Sequence, residues 1–284
     1  MKIIVHFCVF IQCNVCIEIE DFLKEKLIVY KKTDFIDGRK IVSFDIFESD
    51  YNYDSVFSFM QIYKPIVTKQ KHYTDEELNN AQWLSMLCFW GKIDMDSDSA
   101  YESTFSDFCT VCKIQEQIGP YRISKAPLWK KSKNFCADSS GGWDKIFCSS
   151  EAKKVIEENG IRGVGFKNVL KHKTSEPIED LYQLNFKTVV DPFMLDLKPV
   201  PAVQKCEHCG KIVYRYYDDL QEKSFKSNQV IEDIDAFIIP VKMCGCEFVI
   251  ISNKFYKVLK YTLKDKTLKF EPIQNIGNAG GIKT

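Results

Sequence analysis

Two similar stretches of the chain decide its fold: KIFCSSEAKKVIEENGIRGVGFKNV at 145–169 and FVIISNKFYKVLKYTLKDKTLKFEPI at 248–273. Each opens with a short apolar run that predicts a β-strand. A serine follows, Ser149 or Ser252, whose hydroxyl can accept a hydrogen bond from a free N–H at the start of a helix. Each stretch closes with a second apolar run that is typical of a strand. The sequence therefore predicts the same strand–helix–strand module twice.

The segment after each serine has the spacing of an amphipathic helix, with apolar residues at i, i+3 and i+4. These residues are Ala152, Val155 and Ile156 in the first stretch and Phe255, Val258 and Leu259 in the second. Asn159-Gly160 predicts a left-handed stop for the first helix. Thr262 stands at the corresponding place in the second stretch, so we expect the second helix to end differently.

A CxxC pair lies upstream of each stretch: Cys109 with Cys112, and Cys206 with Cys209. The offset between the copies is 97 residues at the cysteines, about 103 at the helices and 104 at the closing strands. A drift this small is typical of a duplicated module whose loops differ in length. We therefore predict an α+β fold with a first CxxC module at 101–200 and a second at 201–284.

The remaining segment, 1–100, reads as a separate N-terminal α+β segment. Apolar runs predict strands at 2–11, 27–30 and 41–47, with a turn at Asp37-Gly38. Thr74 and Glu77 form a T-x-x-E capping box, and the apolar residues that follow predict a helix that runs on to Trp90. The acidic stretch 94–99 is expected to be a boundary loop.

The charge balance and the hydropathy exclude several classes of protein. The chain has 284 residues with 39 Lys and Arg against 39 Asp and Glu, which argues against nonspecific nucleic-acid binding. No apolar run reaches the roughly 18 residues of a membrane helix. The run at 2–11 faintly resembles an export signal, but His6 interrupts it and Gln12 does not suit a cleavage site. We expect a cytoplasmic protein.

The two CxxC pairs predict a metal site. Structural Zn²⁺ is usually held by four soft ligands supplied by two CxxC turns. Cys206-Glu-His-Cys209-Gly210 fits this pattern well, whereas Cys109-Thr-Val-Cys112 has Lys113 in place of the glycine. If a pseudo-twofold axis relates the modules, the four cysteines Cys109, Cys112, Cys206 and Cys209 can share one structural Zn²⁺.

Other interpretations of the cysteines stay open at this point. Cys244 and Cys246 could replace the first pair, or CNVC at 13–16 could partner the second. The thiols could also be free of metal, or one CxxC could be a redox pair. His208 is expected to point away from the metal. Four further cysteines lie among apolar residues and are expected in the core: Cys8, Cys88, Cys136 and Cys148.

The sequence contains no positive signal for catalysis. The motifs GxxxxGK[ST], GxSxG and HExxH are missing from it. A nuclease pattern can be assembled from Asp138, Glu151 and Lys153, but an acidic residue such as Glu151 is common in the first turn of a helix. We therefore predict that the protein is not an enzyme.

The chain resembles the double-CXXCG motif family of bacteria and the related immunity proteins of polymorphic toxin systems. The resemblance covers roughly residues 105–275. It rests on four segments: CTVC at 109–112, IFCSSEAKKVIEENGIRGVGF at 146–166, CEHCG at 206–210, and DAFIIP with FVIISNKFYKVLKYTLKDKTLKFEPI at 235–273. The chain departs from the family at Lys113, and residues 1–100 have no counterpart.

This resemblance implies a cytoplasmic protein that neutralises a cognate toxin by stoichiometric binding, without catalysis. We expect a monomer or weak homo-oligomer, with no nucleic-acid or membrane partner. A zinc-containing nuclease or a nucleic-acid-binding adaptor is the alternative. Candidate contact segments for the toxin are two acidic stretches, 94–98 and 232–235, and two tyrosine-rich ones, 51–53 and 214–217.

Overall fold

The computed structural model describes residues 1–275 except 12, 37, 89–92, 94, 96–97, 107–108, 113–114, 139–141, 192, 198–200, 217–222, 227–232 and 244–245. Helices combine with strands in three sheets, so the predicted α+β class is confirmed. The chain divides into an N-terminal unit, Met1–Glu77, and a C-terminal unit, Leu78–Thr284. In the described ranges no helix has the length and hydropathy needed to cross a bilayer.

The N-terminal unit has a βαββαβ order. Its elements are β1 (Lys2–Ile11), α1 (Cys13–Glu25), β2 (Tyr30–Asp34), β3 (Lys40–Phe47), α2 (Tyr53–Gln61) and β4 (Ile66–His72). The sheet order β2-β3-β1-β4, with every pair antiparallel, is that of a ferredoxin-like split βαβ fold. Its core includes Val5 and Phe7 of β1, Ile19 and Leu23 of α1, and Met60 of α2.

Two of the three strands predicted in this unit are confirmed, β1 and β3. The third prediction, at 27–30, is wrong, because β2 starts only at Tyr30. Leu27 instead follows helix α1 with a positive φ of 56°. The apolar residues Leu27 and Val29 suggested a strand, yet both are exposed in the loop.

The helix predicted from Thr74 to Trp90 is wrong beyond its first turns. The capping box forms, since the Glu77 N–H donates to Thr74 Oγ1 at 3.2 Å and the Thr74 N–H donates to Glu77 Oε2 at 2.7 Å. Helix α3 spans only Asp75–Asn80, and the chain then becomes strand β5 (Trp83–Cys88). The period-two alternation of β5, with Leu84, Met86 and Cys88 in one core and Trp83 in another, overrides the helical spacing.

The strand β5 also moves the boundary of the first segment. It lies between β15 (Cys246–Ser252) and β16 (Leu268–Asn275), near the middle of the seven-stranded sheet. The described contacts therefore divide the chain after Glu77, where the sequence had suggested residue 100.

The first module carries a five-stranded sheet with the order β6-β9-β10-β8-β7. After helix α4 (Asp98–Thr104), its elements are β6 (Arg122–Ile123), β7 (Phe135–Asp138), β8 (Gly142–Cys148), α5 (Ser150–Glu158), β9 (Val164–Lys171) and β10 (Pro177–Phe186). Strands β8 and β9 each pair antiparallel with β10, so the strand–helix–strand unit is split by a central strand.

The second module carries the seven-stranded sheet with the order β11-β12-β14-β15-β5-β16-β13. Its further elements are β11 (Ala202–Lys205), β12 (Ile212–Tyr216), β13 (Lys223–Phe225), β14 (Ala236–Met243), α6 (Asn253–Lys257) and a π-helical turn (Val258–Thr262). Here the strand–helix–strand unit β15-α6-β16 is split by β5, which lies far upstream in the chain.

Five strands of each sheet correspond in order and in direction. The series β7-β8-β10-β9-β6 of the first sheet matches β14-β15-β5-β16-β13 of the second. The register also corresponds: Cys148 pairs with Tyr182 and Phe166 with Leu184 in the first sheet, and Ile251 pairs with Leu84 and Phe270 with Met86 in the second. Strand β5 therefore occupies the place that β10 has in the first module.

The two helices start alike and end differently. Ser149 Oγ accepts from the Ala152 N–H, and Ser252 Oγ accepts from the Phe255 N–H, each at 3.2 Å, as predicted. Gly160 ends the first helix with a φ of 58°, whereas Lys264 holds the corresponding left-handed position, at 51°, after the π-helical turn. A π-turn accommodates one more residue than an α-turn, and this accounts for the rise in offset from 103 to 104.

In each module, the loop that follows the helix is hydrogen-bonded to the start of a strand in the other module. We call these two contacts the clasp. After the first helix, the Arg162 N–H donates to Asp235 Oδ2 and the Asp235 N–H donates to the Arg162 carbonyl, both at 2.9 Å, just before β14. After the second helix, Asp265 Oδ2 accepts from the Asn134 N–H at 2.6 Å, just before β7. Gly163 is part of this contact, because a Cβ there would lie 2.2 Å from the Ala236 carbonyl oxygen. Each loop thus fixes the start of one strand in the other module, β14 in one direction and β7 in the other.

We predict that a chain starting at Leu78 folds cooperatively and that one starting at Tyr101 does not. The shorter chain lacks β5, and with it four buried side chains worth about 1.5–3 kcal/mol each, which rivals the whole stability of a domain. Thermal unfolding followed by circular dichroism, with size-exclusion chromatography, tests this. A cooperative transition in the 101–284 chain would contradict the place given to β5.

We also predict that Lys264→Gly raises the free energy of unfolding by about 0.5–1 kcal/mol, because glycine relieves the left-handed backbone. Gly160→Ala is the matched control at the corresponding place. It should lower stability by about 1 kcal/mol through the backbone alone, since a Cβ added there would have no atom within 4 Å. Urea unfolding of both variants provides the measurement.

Candidate metal centre

Each CxxC pair lies at the tip of a β-hairpin. In the second module, β11 and β12 flank Cys206 and Cys209, and Gly210 turns the chain with a φ of 72°. In the first module, a bridge between Phe105 and Gln117 holds the corresponding hairpin together. The Ser106 N–H donates to the Glu116 carbonyl beside it, at 2.8 Å. The residues on either side of the first CxxC pair are therefore paired antiparallel, as β11 and β12 are around the second pair.

The two hairpin tips bring four sulfur atoms together. Cys109 Sγ lies 3.7 Å from Cys206 Sγ, and Cys112 Sγ lies 3.6 Å from Cys209 Sγ. All four sulfurs lie within 4.8 Å of one another. A tetrahedral zinc ion with Zn–S bonds of about 2.3 Å needs sulfurs about 3.8 Å apart. The arrangement therefore has the size of a four-thiolate metal site.

Backbone N–H groups in both tips point at a sulfur. Cys109 Sγ accepts from the N–H groups of Cys112 and Val111, and these bonds lower the pKa of its thiol to about 6. Cys206 Sγ accepts in the same way from Cys209 and His208, which lowers its pKa as well. Hydrogen bonds to the charged form stabilise it, so both leading thiols are prepared to act as thiolates.

The fourth thiol shows why a cation fits this site. The backbone N–H of Lys211 lowers the pKa of Cys209, but desolvation and the hydrogen bonds with the other three cysteines raise it to about 12. Four thiolates this close repel one another, and a bound divalent cation removes that penalty. The four residues could therefore hold a metal ion, which they would bind as thiolates.

Two side-chain contacts next to the sulfurs join the hairpins. Arg215 Nη2 of the second hairpin donates to the Cys112 carbonyl at 2.9 Å. Lys211 Nζ lies 3.1 Å from Glu116 Oε1 of the first hairpin. Both contacts place a cationic side chain near a site that gathers negative charge. They could not be identified from the sequence, because nothing in it aligns the hairpins except the offset of 97 between the CxxC pairs.

Only some of the competing cysteines are described by the structure. Cys16 lies in α1 of the N-terminal unit, where its Sγ donates to Glu20 Oε1 at 2.9 Å. Cys244 and the side chains of Cys13 and Cys246 lie outside the described residues. His208 is exposed and does not belong to the group of four. Cys88, Cys136 and Cys148 are buried as predicted, whereas Cys8 is only partly buried.

The three residues of the nuclease pattern each have a position or contact that is typical of a structural residue. Asp138 is 1% exposed and accepts from the Tyr121 hydroxyl at 2.8 Å. Glu151 lies in the first turn of α5, and Lys153 Nζ lies 4.2 Å from the centre of the Tyr182 ring. None of them belongs to the metal-ligating group found in the described part of the chain.

The predicted toxin-contact segments differ in how far their side chains are exposed. Tyr51 is 86% exposed, whereas Tyr53 packs against the core of the N-terminal unit. Asp235 is buried in the clasp between the modules, so it is a structural residue. Most of the acidic stretch 94–98, together with Glu232 and Tyr217, lies outside the described residues.

We predict that Cys206→Ser abolishes stoichiometric metal binding and lowers the free energy of unfolding by about 3–5 kcal/mol. A metal shared by positions 97 apart acts like a cross-link that closes a long loop. Metal content is measured by mass spectrometry after dialysis, with chemical denaturation for stability. Cys8→Ser is the control and should keep the metal. One metal per chain in Cys206→Ser would contradict the site.

No family model matches the chain, and no curated protein matches it significantly.

Proposed function

We propose that this protein is an immunity protein that neutralises a cognate bacterial toxin by direct stoichiometric binding, and that one structural Zn²⁺ joins its two modules. The observation that carries the proposal is the convergence of four sulfurs, two from each module, within 4.8 Å. The toxin is a protein partner, and the zinc is part of the scaffold that binds it.

The ligand set supports a structural metal in preference to a catalytic one. Catalytic zinc sites usually keep one position open for water or substrate, with three protein ligands. Four cysteines fill a tetrahedral shell and leave no such position. Three of the four residues are also buried. A metal held this way supplies a cross-link and offers no Lewis-acid surface to a substrate.

Zinc is the metal that we propose for this site. Four soft thiolates in a tetrahedron suit Zn²⁺, which has no redox chemistry and no geometric preference of its own. Iron is the other metal that takes four thiolates in this geometry. The two differ in colour, because an iron–thiolate centre absorbs visible light and a zinc centre does not. The spectrum of the purified protein therefore decides between them.

The toxin-binding part of the proposal rests on the motif resemblance. A stoichiometric inhibitor needs a stable scaffold and a complementary surface, and it needs no reactive groups. Asp138 and Asp235 are buried and accept hydrogen bonds within the fold. Both residues are therefore structural, although acidic residues of this kind could have formed a cation site. A zinc-dependent nuclease or a nucleic-acid adaptor is the competing function. Assays of nucleic-acid hydrolysis and binding by the purified protein, made beside the protection test, measure that function.

The test is protection in living cells. Where a gene beside this one encodes a secreted protein, the C-terminal domain of that protein is expressed as the toxin domain in a sensitive host, with or without the present chain. We expect the chain to restore growth and to form a 1:1 complex with that domain. Cys206→Ser should weaken the complex at least tenfold by releasing the module contact at the metal, while Cys8→Ser protects fully.

Lack of protection by the wild-type chain, combined with hydrolysis or binding of nucleic acid by the purified protein, would overturn this proposal and favour the competing function. Protection without a physical complex would also contradict it, because neutralisation by binding requires the two proteins to associate.

A further inference from the structure

One end of the N-terminal unit exposes three large apolar side chains. Leu27 is 85% exposed, Val29 89% and Tyr51 86%. Leu27 and Val29 lie in the loop between α1 and β2, and Tyr51 lies in the loop between β3 and α2. We call these three residues the loop-end patch. Isolated exposed apolar residues are ordinary, but three that are almost fully exposed at the same end of one small unit are not.

The two loops that carry the patch are tied together. Asn52 Nδ2 donates to the Lys26 carbonyl at 3.4 Å, and Asn52 itself is only 9% exposed. Asp50 Oδ1 accepts from the Asn52 N–H at 2.8 Å, which fixes the second loop. The patch is therefore presented by loops with defined hydrogen bonds.

Leu27 adopts a backbone conformation that is unfavourable for its side chain. The Ile28 N–H donates to the Leu23 carbonyl at 2.9 Å and the Leu27 N–H donates to the Lys24 carbonyl at 3.0 Å. This is the Schellman pattern that ends a helix, and the residue at the position of Leu27, here with a φ of 56°, is usually glycine. A leucine at this place strains the backbone and buries nothing, which points to a role outside the folded chain.

The charge around the patch indicates what kind of partner it fits. The N-terminal unit has 13 acidic and 10 basic residues. Near the patch, Lys24 and Lys26 are each paired with a carboxylate, Asp21 and Glu25. Asp50 and Asp54 flank Tyr51 in the chain. Lys31, two residues after Val29, is also exposed, so the apolar residues are bordered by a small acidic excess. An apolar centre with this charge complements a basic protein surface that carries an apolar pocket.

We infer that the loop-end patch is a contact surface for the toxin, and that the toxin meets it with a basic face. This inference rests on the proposed immunity function and adds the surface and the charge of the partner. Tyrosine and other large side chains contribute much of the affinity at such contacts, and a loop whose backbone is already fixed by hydrogen bonds loses less entropy on binding.

The experiment measures, by calorimetry, binding of the full-length chain to the purified toxin domain that is used in the protection test. Leu27→Gly and Tyr51→Ser should each weaken binding at least tenfold. Leu27→Gly should also raise the melting temperature, because it removes the left-handed strain. Weaker binding by a more stable protein cannot be explained by misfolding. Binding should also weaken as the salt concentration rises.

Two control variants match these changes. Lys64 follows α2 with a φ of 50°, so Lys64→Gly makes the same backbone change in the same unit away from the patch. Ile118 is 67% exposed in the first module, so Ile118→Ser removes an exposed apolar side chain elsewhere. Both controls should bind the toxin domain like the wild type.

The outcomes separate this inference from the proposed function. If the wild-type chain binds the toxin domain and the patch variants bind equally well, the patch is not the contact surface and the immunity function stands. Weakening by the control variants to the same extent would also overturn the inference. If the wild-type chain does not bind the toxin domain, both proposals fail.

Discussion

The reciprocal clasp between the two modules is the constraint on which the C-terminal unit depends. Each loop that follows a helix is hydrogen-bonded to the start of a strand in the other module, through Asp235 in one direction and Asp265 in the other. Both carboxylates are buried and accept backbone N–H groups. Because a buried carboxylate without such partners is costly, the clasp holds only when both modules are folded. The two sheets, the core that they share and the two CxxC hairpins are arranged around these hydrogen bonds.

The four-cysteine site follows from this arrangement. The reciprocal contacts set equivalent hairpin tips of the two modules against each other, and corresponding sulfurs lie close together, Cys109 to Cys206 and Cys112 to Cys209. Three of the four cysteines, Cys109, Cys112 and Cys206, form a small buried cluster with Val213, apart from the main apolar core. In our proposal, the apolar core therefore supplies most of the free energy of folding, and the metal holds the two hairpin tips together.

The proposed function assigns different work to the two units. The C-terminal unit provides rigid structure, with its charged groups engaged in clasps and hairpin contacts. The N-terminal unit combines a ferredoxin-like core with exposed apolar residues and an acidic charge, and it has no counterpart in the family that the rest of the chain resembles. An immunity protein must discriminate among related toxins, and a separate unit that carries its own contact surface suits that requirement.

Sequence alone determined the features that depend on neighbours in the chain: the serine caps, the amphipathic helices and the strands around them. Local spacing specifies these because each needs only a few adjacent residues. It failed at residues 83–88, where apolar residues beyond a true capping box fit a helix as well as a strand. Only the tertiary structure decided that this segment is a strand, because its partners β15 and β16 lie more than 150 residues away. The same holds for the cysteines: their spacing proposed several ligand sets, and the packing of two distant hairpins brought Cys109, Cys112, Cys206 and Cys209 together.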